Sequence, residues 1–87
     1  MTIQLKDEAG IKGMRVACRL AAEVLDYLEP FIKPGITTND IDKLAHDYMV
    51  DVQQCIPAPL NYSPNGYKPY PKSICTSINH QVCHGIP

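Results

Sequence analysis

Two histidines and two cysteines lie close together near the end of this 87-residue chain, where they could bind a metal or supply a nucleophile. His80 and His84 stand four positions apart, Cys83 lies between them, and Cys75 precedes them. This set suggests either a local zinc site or a cysteine–histidine nucleophile pair. An HxxxH pair ligates naturally on a helix, however, and the glycine and proline that follow disfavour a helix here. Ligand count and geometry therefore both disfavour a zinc site here.

The residues around these side chains have the pattern of a β-hairpin. β-branched and small polar side chains dominate residues 73–78, which predicts a strand, and the Asn-His pair that follows can turn the chain. Residues 81–84 would then form the returning strand. Neighbouring residues of a regular strand point to opposite faces, so the predicted hairpin argues against a thiolate–imidazole contact between Cys83 and His84.

A first amphipathic helix is predicted near the start of the chain. From about Asp7 the apolar positions alternate by three and four residues, and Pro30 should end the helix or kink its last turn. An acidic residue at the start also suits the positive end of the helix dipole. The predicted apolar stripe comprises Ile11, Met14, Cys18, Ala21, Leu25, Leu28 and Ile32.

A second amphipathic helix is predicted after the turn at residues 33–35. Residues 37–40 have the pattern of a capping box, and the apolar spacing that follows predicts a helix that ends near Gln53. His46 and the acidic residues around it, including Asp42, are interpreted as a solvated face. No second histidine or cysteine stands one helical turn away from His46 to share a metal.

Residues 55–71 differ in kind, because five prolines and three tyrosines lie within them. The prolines exclude a helix and a central strand, and Asn65-Gly66 predicts a turn. A flexible linker is one interpretation. We favour an ordered loop that presents aromatic rings to a pocket, since the tyrosines would be costly to leave in water and proline lowers the entropy lost on ordering.

Composition narrows the class of protein. The chain is 45% hydrophobic and 20% charged, as in ordinary globular proteins, and its net charge of −1 gives no reason to expect nucleic acid as a partner. No apolar run approaches the roughly 20 residues that span a bilayer, and the N-terminus lacks the apolar core of a signal peptide. We expect a cytoplasmic protein whose four cysteines are free thiols, since they form no CxxC motif.

The chain resembles the type I methionine aminopeptidases. The residues that carry this resemblance are Tyr70-Pro71-Lys72-Ser73, Ser77-Ile78-Asn79 and Val82-Cys83-His84-Gly85-Ile86-Pro87, supported by Met14-Arg15-Val16-Ala17, Arg19-Leu20-Ala21-Ala22 and Lys33-Pro34-Gly35. Enzymes of that family are much longer, so residues 1–87 look like the N-terminal part of one catalytic domain. The fold implied is α/β (α+β): an N-terminal fragment of the pita-bread fold, with two amphipathic helices, an aromatic and proline-rich loop and a β-hairpin.

The resemblance also implies roles for six residues. His84 matches a histidine that contacts the substrate beside a dinuclear metal centre without being a standard ligand. Tyr62, Tyr70 and Cys75 match residues that line the pocket for the methionine side chain, and a thioether suits aromatic edges and a soft sulfur neighbour. The backbone carbonyls of Asn79 and Gln81 match part of a monovalent-cation site, whereas His80 is interpreted as a turn residue.

This sequence departs from the family pattern in the loop and in its metal ligands. The loop between Tyr62 and Tyr70 is longer than in the shortest bacterial enzymes, and Pro59 stands where some members carry a cysteine. The five ligands of the two divalent metals (Co, Mn, Fe or Zn in the complete enzyme) all lie downstream of the HGIP segment. We therefore expect no metal on residues 1–87 and no activity from these residues alone.

The function implied is removal of the N-terminal methionine from nascent polypeptides whose second residue is small. The expected partners are such polypeptides and the ribosome, with no direct nucleic acid and no membrane, and the complete enzyme is expected to be a monomer. Two alternatives stay open. One is a stand-alone, noncatalytic module that binds peptides or partners, and the other is a homologue that keeps the pocket without the metals.

Overall fold

Two helices form the regular structure of residues 3–87, the part of the chain that the computed structural model describes. Helix α1 spans Glu8–Leu28, and the Asp7 side chain caps it by accepting a hydrogen bond from the Gly10 amide at 2.8 Å. A short 3₁₀ turn, Glu29–Phe31, follows and contains Pro30. The predicted start and end of the first helix are confirmed.

The buried face of α1 is shorter than the predicted stripe. Val24 and Leu28 are its buried residues, whereas Leu25, which the stripe included, is 69% exposed. Ile11 and Met14 are also exposed. Most residues of the predicted stripe are therefore exposed within residues 3–87, because the core contacts only the C-terminal end of α1.

Helix α2 spans Thr38–Asp47 and continues as one π-helical turn, Tyr48–Val52. The predicted capping box is present in both directions. The Thr37 hydroxyl accepts from the Asp40 amide at 3.0 Å, and the Asp40 carboxylate accepts from the Thr37 amide at 3.1 Å. Gln53 ends the π-helical turn, so the predicted end is also confirmed.

A small core holds the two helices together. Its buried members are Val24, Leu28 and Ala45. Tyr27 of α1 stacks on Tyr48 with ring centroids 4.3 Å apart, a geometry typical of attractive aromatic pairs. Around them pack the partly buried Ile41, Leu44, Met49 and Ile74.

The predicted β-hairpin is not confirmed, since residues 3–87 contain no β-strand. We call residues 73–78 the first arm and residues 81–87 the C-terminal arm. One backbone hydrogen bond joins the two arms, from the Thr76 amide to the Gly85 carbonyl at 2.8 Å. Two other backbone amides, which could donate to the opposite strand in a β-ladder, donate to side chains instead. The Ile78 amide donates to Gln81 Oε1, and the Gly85 amide donates to Ser77 Oγ. Polar side chains thus compete with regular pairing, and the second arm has no strand register.

None of the helices within residues 3–87 combines the length and the apolar character needed to cross a membrane.

Candidate substrate pocket

A cavity of about 570 Å³ lies between the loop and the C-terminal arm. Its walls are mostly apolar, and its size is in the range of small-molecule sites. The residues that line it are Ala58, Pro59, Tyr62, Tyr70, Cys75, His84 and Ile86. The structure therefore brings together all four side chains for which the resemblance implied contact with the substrate.

Two backbone hydrogen bonds place the tyrosines of this cavity. The Asn61 amide donates to the Tyr70 carbonyl and the Tyr70 amide donates to the Tyr62 carbonyl, both at 2.8 Å. These bonds close the loop at its base, so the extra length of residues 63–69 leaves Tyr62 beside Tyr70. The loop thus makes hydrogen bonds of its own and presents two aromatic rings to the cavity.

The tip of the loop turns where the sequence predicted. Asn65 and Gly66 both have positive φ angles, 41° and 82°, as Asn-Gly turns require. Tyr67 lies beside this turn and is 73% exposed. Two of the three loop tyrosines therefore line the cavity, and the third does not.

The Tyr70 hydroxyl lies among three acceptors at the cavity wall. They are the Ile74 carbonyl at 2.9 Å, Cys75 Sγ at 3.4 Å and the Gly85 carbonyl at 3.5 Å. The hydrogen bond to Cys75 raises the pKa of Tyr70 to about 12, and burial and the charges of Cys75 and Asp42 act in the same direction. Tyr70 therefore remains a neutral hydrogen-bond donor at physiological pH.

His84 reaches the cavity from an irregular backbone. Its φ angle is 56°, in the left-handed region, so the alternation of a regular strand does not apply to it. Consequently Cys83 Sγ lies 3.7 Å from His84 Nδ1. The expectation that these two side chains point apart is wrong, because it assumed a strand that does not form.

Gly85 fixes the position of His84 against the first arm. It is buried, and a Cβ built on it would lie 1.9 Å from the Thr76 carbonyl oxygen. Only a glycine allows the two backbones to approach so closely. The residue that follows His84 is therefore tightly packed, which restricts the position of the His84 backbone.

The residues of the proposed monovalent-cation site lie outside the cavity wall. Asn79 has a φ angle of 52°, and the Gln81 amide donates to the Ile78 carbonyl at 3.0 Å. His80 lies in the same turn, as predicted.

The described residues do not fit a dinuclear metal centre. Nowhere in residues 3–87 do three or more histidine, cysteine, aspartate or glutamate side chains group so that they could hold a metal ion. The side chains that line the cavity include one histidine and one cysteine and no carboxylate.

Two residues of the predicted solvated face are partly or fully buried instead. Asp42 is buried and its Oδ1 accepts from the amides of Ser73 and Ile74, at 2.7 and 3.2 Å. His46 Nδ1 lies 2.7 Å from Ser73 Oγ. The solvated-face interpretation is wrong for both. Their partners lie 27 to 32 residues away in sequence, so no local pattern could reveal these contacts.

Comparison with known proteins identifies the family. The sequence model of "Metallopeptidase family M24" matches residues 12–87. The chain belongs to metallopeptidase family M24. Over all 87 residues it is 54% identical to the "Methionine aminopeptidase" of Salmonella typhimurium, and 51% identical to those of Escherichia coli (strain K12) and Rickettsia prowazekii. The chain spans 31% of the length of each of these relatives.

M24 membership agrees with the fold class expected from the resemblance, and the two helices are compatible with it. As a metallopeptidase family, M24 also implies divalent metal cofactors.

Proposed function

We propose that residues 1–87 are the N-terminal part of the single catalytic domain of an M24 enzyme that removes the N-terminal methionine from polypeptides with a small second residue. The cavity supports this proposal most strongly, because it gathers Tyr62, Tyr70, Cys75 and His84 around one mostly apolar space. The identity to methionine aminopeptidases over the whole chain favours it over a stand-alone binding module.

The methionine side chain would occupy the cavity. Aromatic rings and a thiol offer favourable contacts to a thioether, and a mostly apolar wall removes the side chain from water. Tyr70 would also be held in place by the acceptors around its hydroxyl, so its ring forms a fixed wall. The pocket is thereby largely formed before a substrate arrives.

His84 would contact the reacting end of the peptide. Its imidazole lines the cavity and can donate a hydrogen bond to a peptide carbonyl. A donor placed where negative charge develops lowers the energy of the transition state more than that of the bound substrate. We assign His84 as a catalytic residue on this basis.

The proposal also covers the metals, the monovalent-cation site and the substrates of the complete enzyme. Two divalent metals (Co, Mn, Fe or Zn) would be bound outside residues 1–87, and the Asn79 and Gln81 carbonyls would contribute to a monovalent-cation site. The substrates would be nascent polypeptides that begin with methionine, met at the ribosome in the cytoplasm by a monomeric enzyme. The family match and the names of the relatives support the metal dependence and the substrate class.

A fusion enzyme tests the role of His84. Residues 1–87 are joined in frame to the remainder of the Escherichia coli relative, which is 51% identical over this region. In this fusion we expect His84→Ala to lower kcat by about 10²–10³, as removal of one transition-state donor typically does. Bound metal should stay near the parent level, because His84 is not assigned as a ligand.

His80→Ala is the matched control, since it removes the same side chain from the neighbouring turn. We expect little change in kcat or metal content. Measuring turnover and bound metal for both variants separates the hypotheses. Equal loss of turnover in the two variants, with metal lost from both, would support the zinc-site interpretation and overturn our assignment.

A further inference from the structure

Side chains on one face of α2 form hydrogen bonds with Ser73 and Ile74, the two residues that precede Cys75 of the cavity wall. Asp42 Oδ1 accepts from two consecutive amides, of Ser73 at 2.7 Å and of Ile74 at 3.2 Å. His46, one helical turn further on, lies with Nδ1 2.7 Å from Ser73 Oγ. We call Asp42, His46 and Ser73 the α2 clamp. A further contact joins Lys72 Nζ to Asn39 Oδ1 on the same helix.

Two of the three residues of the α2 clamp are buried, and the third, His46, is partly buried. Ser73 is 2% exposed and Asp42 is 9% exposed. A buried carboxylate is costly unless hydrogen bonds satisfy it, and a buried amide without an acceptor is costly as well. Asp42 and the two amides therefore satisfy each other, and removing the carboxylate leaves two amides without their acceptor.

The clamped segment lies between two residues of the cavity wall. Tyr70 precedes it and Cys75 follows it directly. The Ile74 side chain packs against the core, while its carbonyl accepts from the Tyr70 hydroxyl at 2.9 Å. The position of this segment therefore determines the contact between Tyr70 Oη and Cys75 Sγ, which are 3.4 Å apart.

We propose that Asp42, with His46, is a positioning residue of the methionine pocket: through Ser73 and Ile74 it sets the Tyr70–Cys75 wall against which the substrate side chain packs. Neither Asp42 nor His46 lines the cavity, so each acts on the substrate through other residues. The proposal rests on the proposed function for its link to methionine. The link between the α2 clamp and the Tyr70–Cys75 contact stands on the geometry alone.

Kinetics of the fusion enzyme test the first link. Asp42→Leu keeps a side chain of similar size but removes the acceptor, so we expect KM for a Met-Ala-Ser peptide to rise about tenfold or more, with a smaller change in kcat. Asp42→Asn keeps an oxygen at the same position and should restore most of the parent KM. The control is Asp47→Leu, the same substitution at an exposed position of α2, where we expect no change in KM.

Titration of Tyr70 tests the second link without any need for activity. The absorbance change of tyrosinate formation is recorded for each protein and for its Tyr70→Phe partner, and the difference isolates Tyr70. In the parent we expect a midpoint near 12. Asp42→Asn removes the Asp42 charge but keeps an oxygen, so it measures the shift that the charge alone produces, and Asp42→Leu should shift the midpoint further toward the ordinary pKa of 10. His46→Ala leaves the Asp42 charge in place and should shift the midpoint in the same direction even if Asp42→Leu does not fold. Circular dichroism at each pH shows whether the helices persist.

The outcomes distinguish the two proposals. An inactive parent fusion would contradict the proposed function, while the titration would still decide whether the α2 clamp positions Tyr70. A Tyr70 midpoint that is unchanged in His46→Ala, or one that is the same in a folded Asp42→Leu as in Asp42→Asn, would overturn the positioning role. A kcat loss without a KM change in Asp42→Leu would overturn it as well.

Discussion

Gly85, which follows the cavity residue His84, leaves no space for a side chain. A methyl group there would overlap the Thr76 carbonyl, since the Cβ would lie 1.9 Å from its oxygen. This carbonyl is backbone and cannot rotate away, so the arm that carries His84 must shift. In the fusion enzyme we expect Gly85→Ala to lower the free energy of unfolding by about 1–3 kcal/mol, the usual cost of overpacking. Chemical denaturation measures this loss.

Gly13→Ala is the matched control for that substitution. Gly13 lies within α1, and a Cβ there would meet nothing within 4 Å. Alanine is the better helix former, so this variant should gain up to about 1 kcal/mol of stability. If both alanine variants stabilise the protein, the close approach of Gly85 and Thr76 is not a feature of the folded enzyme.

Four of the seven residues that line the cavity were selected from the sequence, and their roles toward a substrate stay predictions. The resemblance to a known family predicts substrate contacts for Tyr62, Tyr70, Cys75 and His84, and all four line the cavity. The contact of Cys83 with His84 was missed, because it depends on a left-handed backbone at His84 that no local signal marked.

At the scale of elements, the capping box of α2 is the feature that its sequence specifies most fully. Thr37 and Asp40 each accept a hydrogen bond from the other's amide. The bond from the Thr37 amide lowers the pKa of Asp40, with the Thr37 side chain as the second cause. Because the pKa is lowered on folding, the contribution of Asp40 to helix stability is present above its ordinary pKa of 3.8 and is lost as pH falls below it.

Two variants test the capping box. We expect Thr37→Ala to destabilise α2 by about 1 kcal/mol, because an N-cap acceptor is removed. Asp40→Asn should flatten the dependence of helix content on pH below 3.8, since the titrating group is gone. Circular dichroism between neutral pH and pH 2 measures both effects. An acid transition that is identical in Asp40→Asn and the parent would contradict the assigned role of Asp40.

The helices followed from the sequence and the hairpin did not, for a physical reason. Helix signals are local: an apolar period, a cap and a terminating proline specify α1 and α2 within a few residues. Strand pairing depends on which partner each amide finds, and Ser77 and Gln81 side chains take two of them here. The α2 clamp could not be predicted for the same reason, because its hydrogen-bond partners are distant in sequence.

At the scale of the whole molecule, residues 3–87 bury few large apolar side chains. The core has three buried members, whereas Ile56 and Val82 are 93% and 95% exposed. In our proposal, such side chains on α1, in the loop and on the two arms face the remainder of the catalytic domain. The pocket would then be one wall of a larger site, to which residues 1–87 contribute the methionine contacts and His84.

Methionine release by the fusion enzyme tests this account most directly. With cobalt, manganese or iron supplied, the fusion should release methionine from a Met-Ala-Ser peptide and much less from a peptide whose second residue is large. Residues 1–87 alone should release none under the same conditions. Turnover by residues 1–87 alone that disappears with a chelator, or a folded and metal-loaded fusion that releases no methionine, would contradict it.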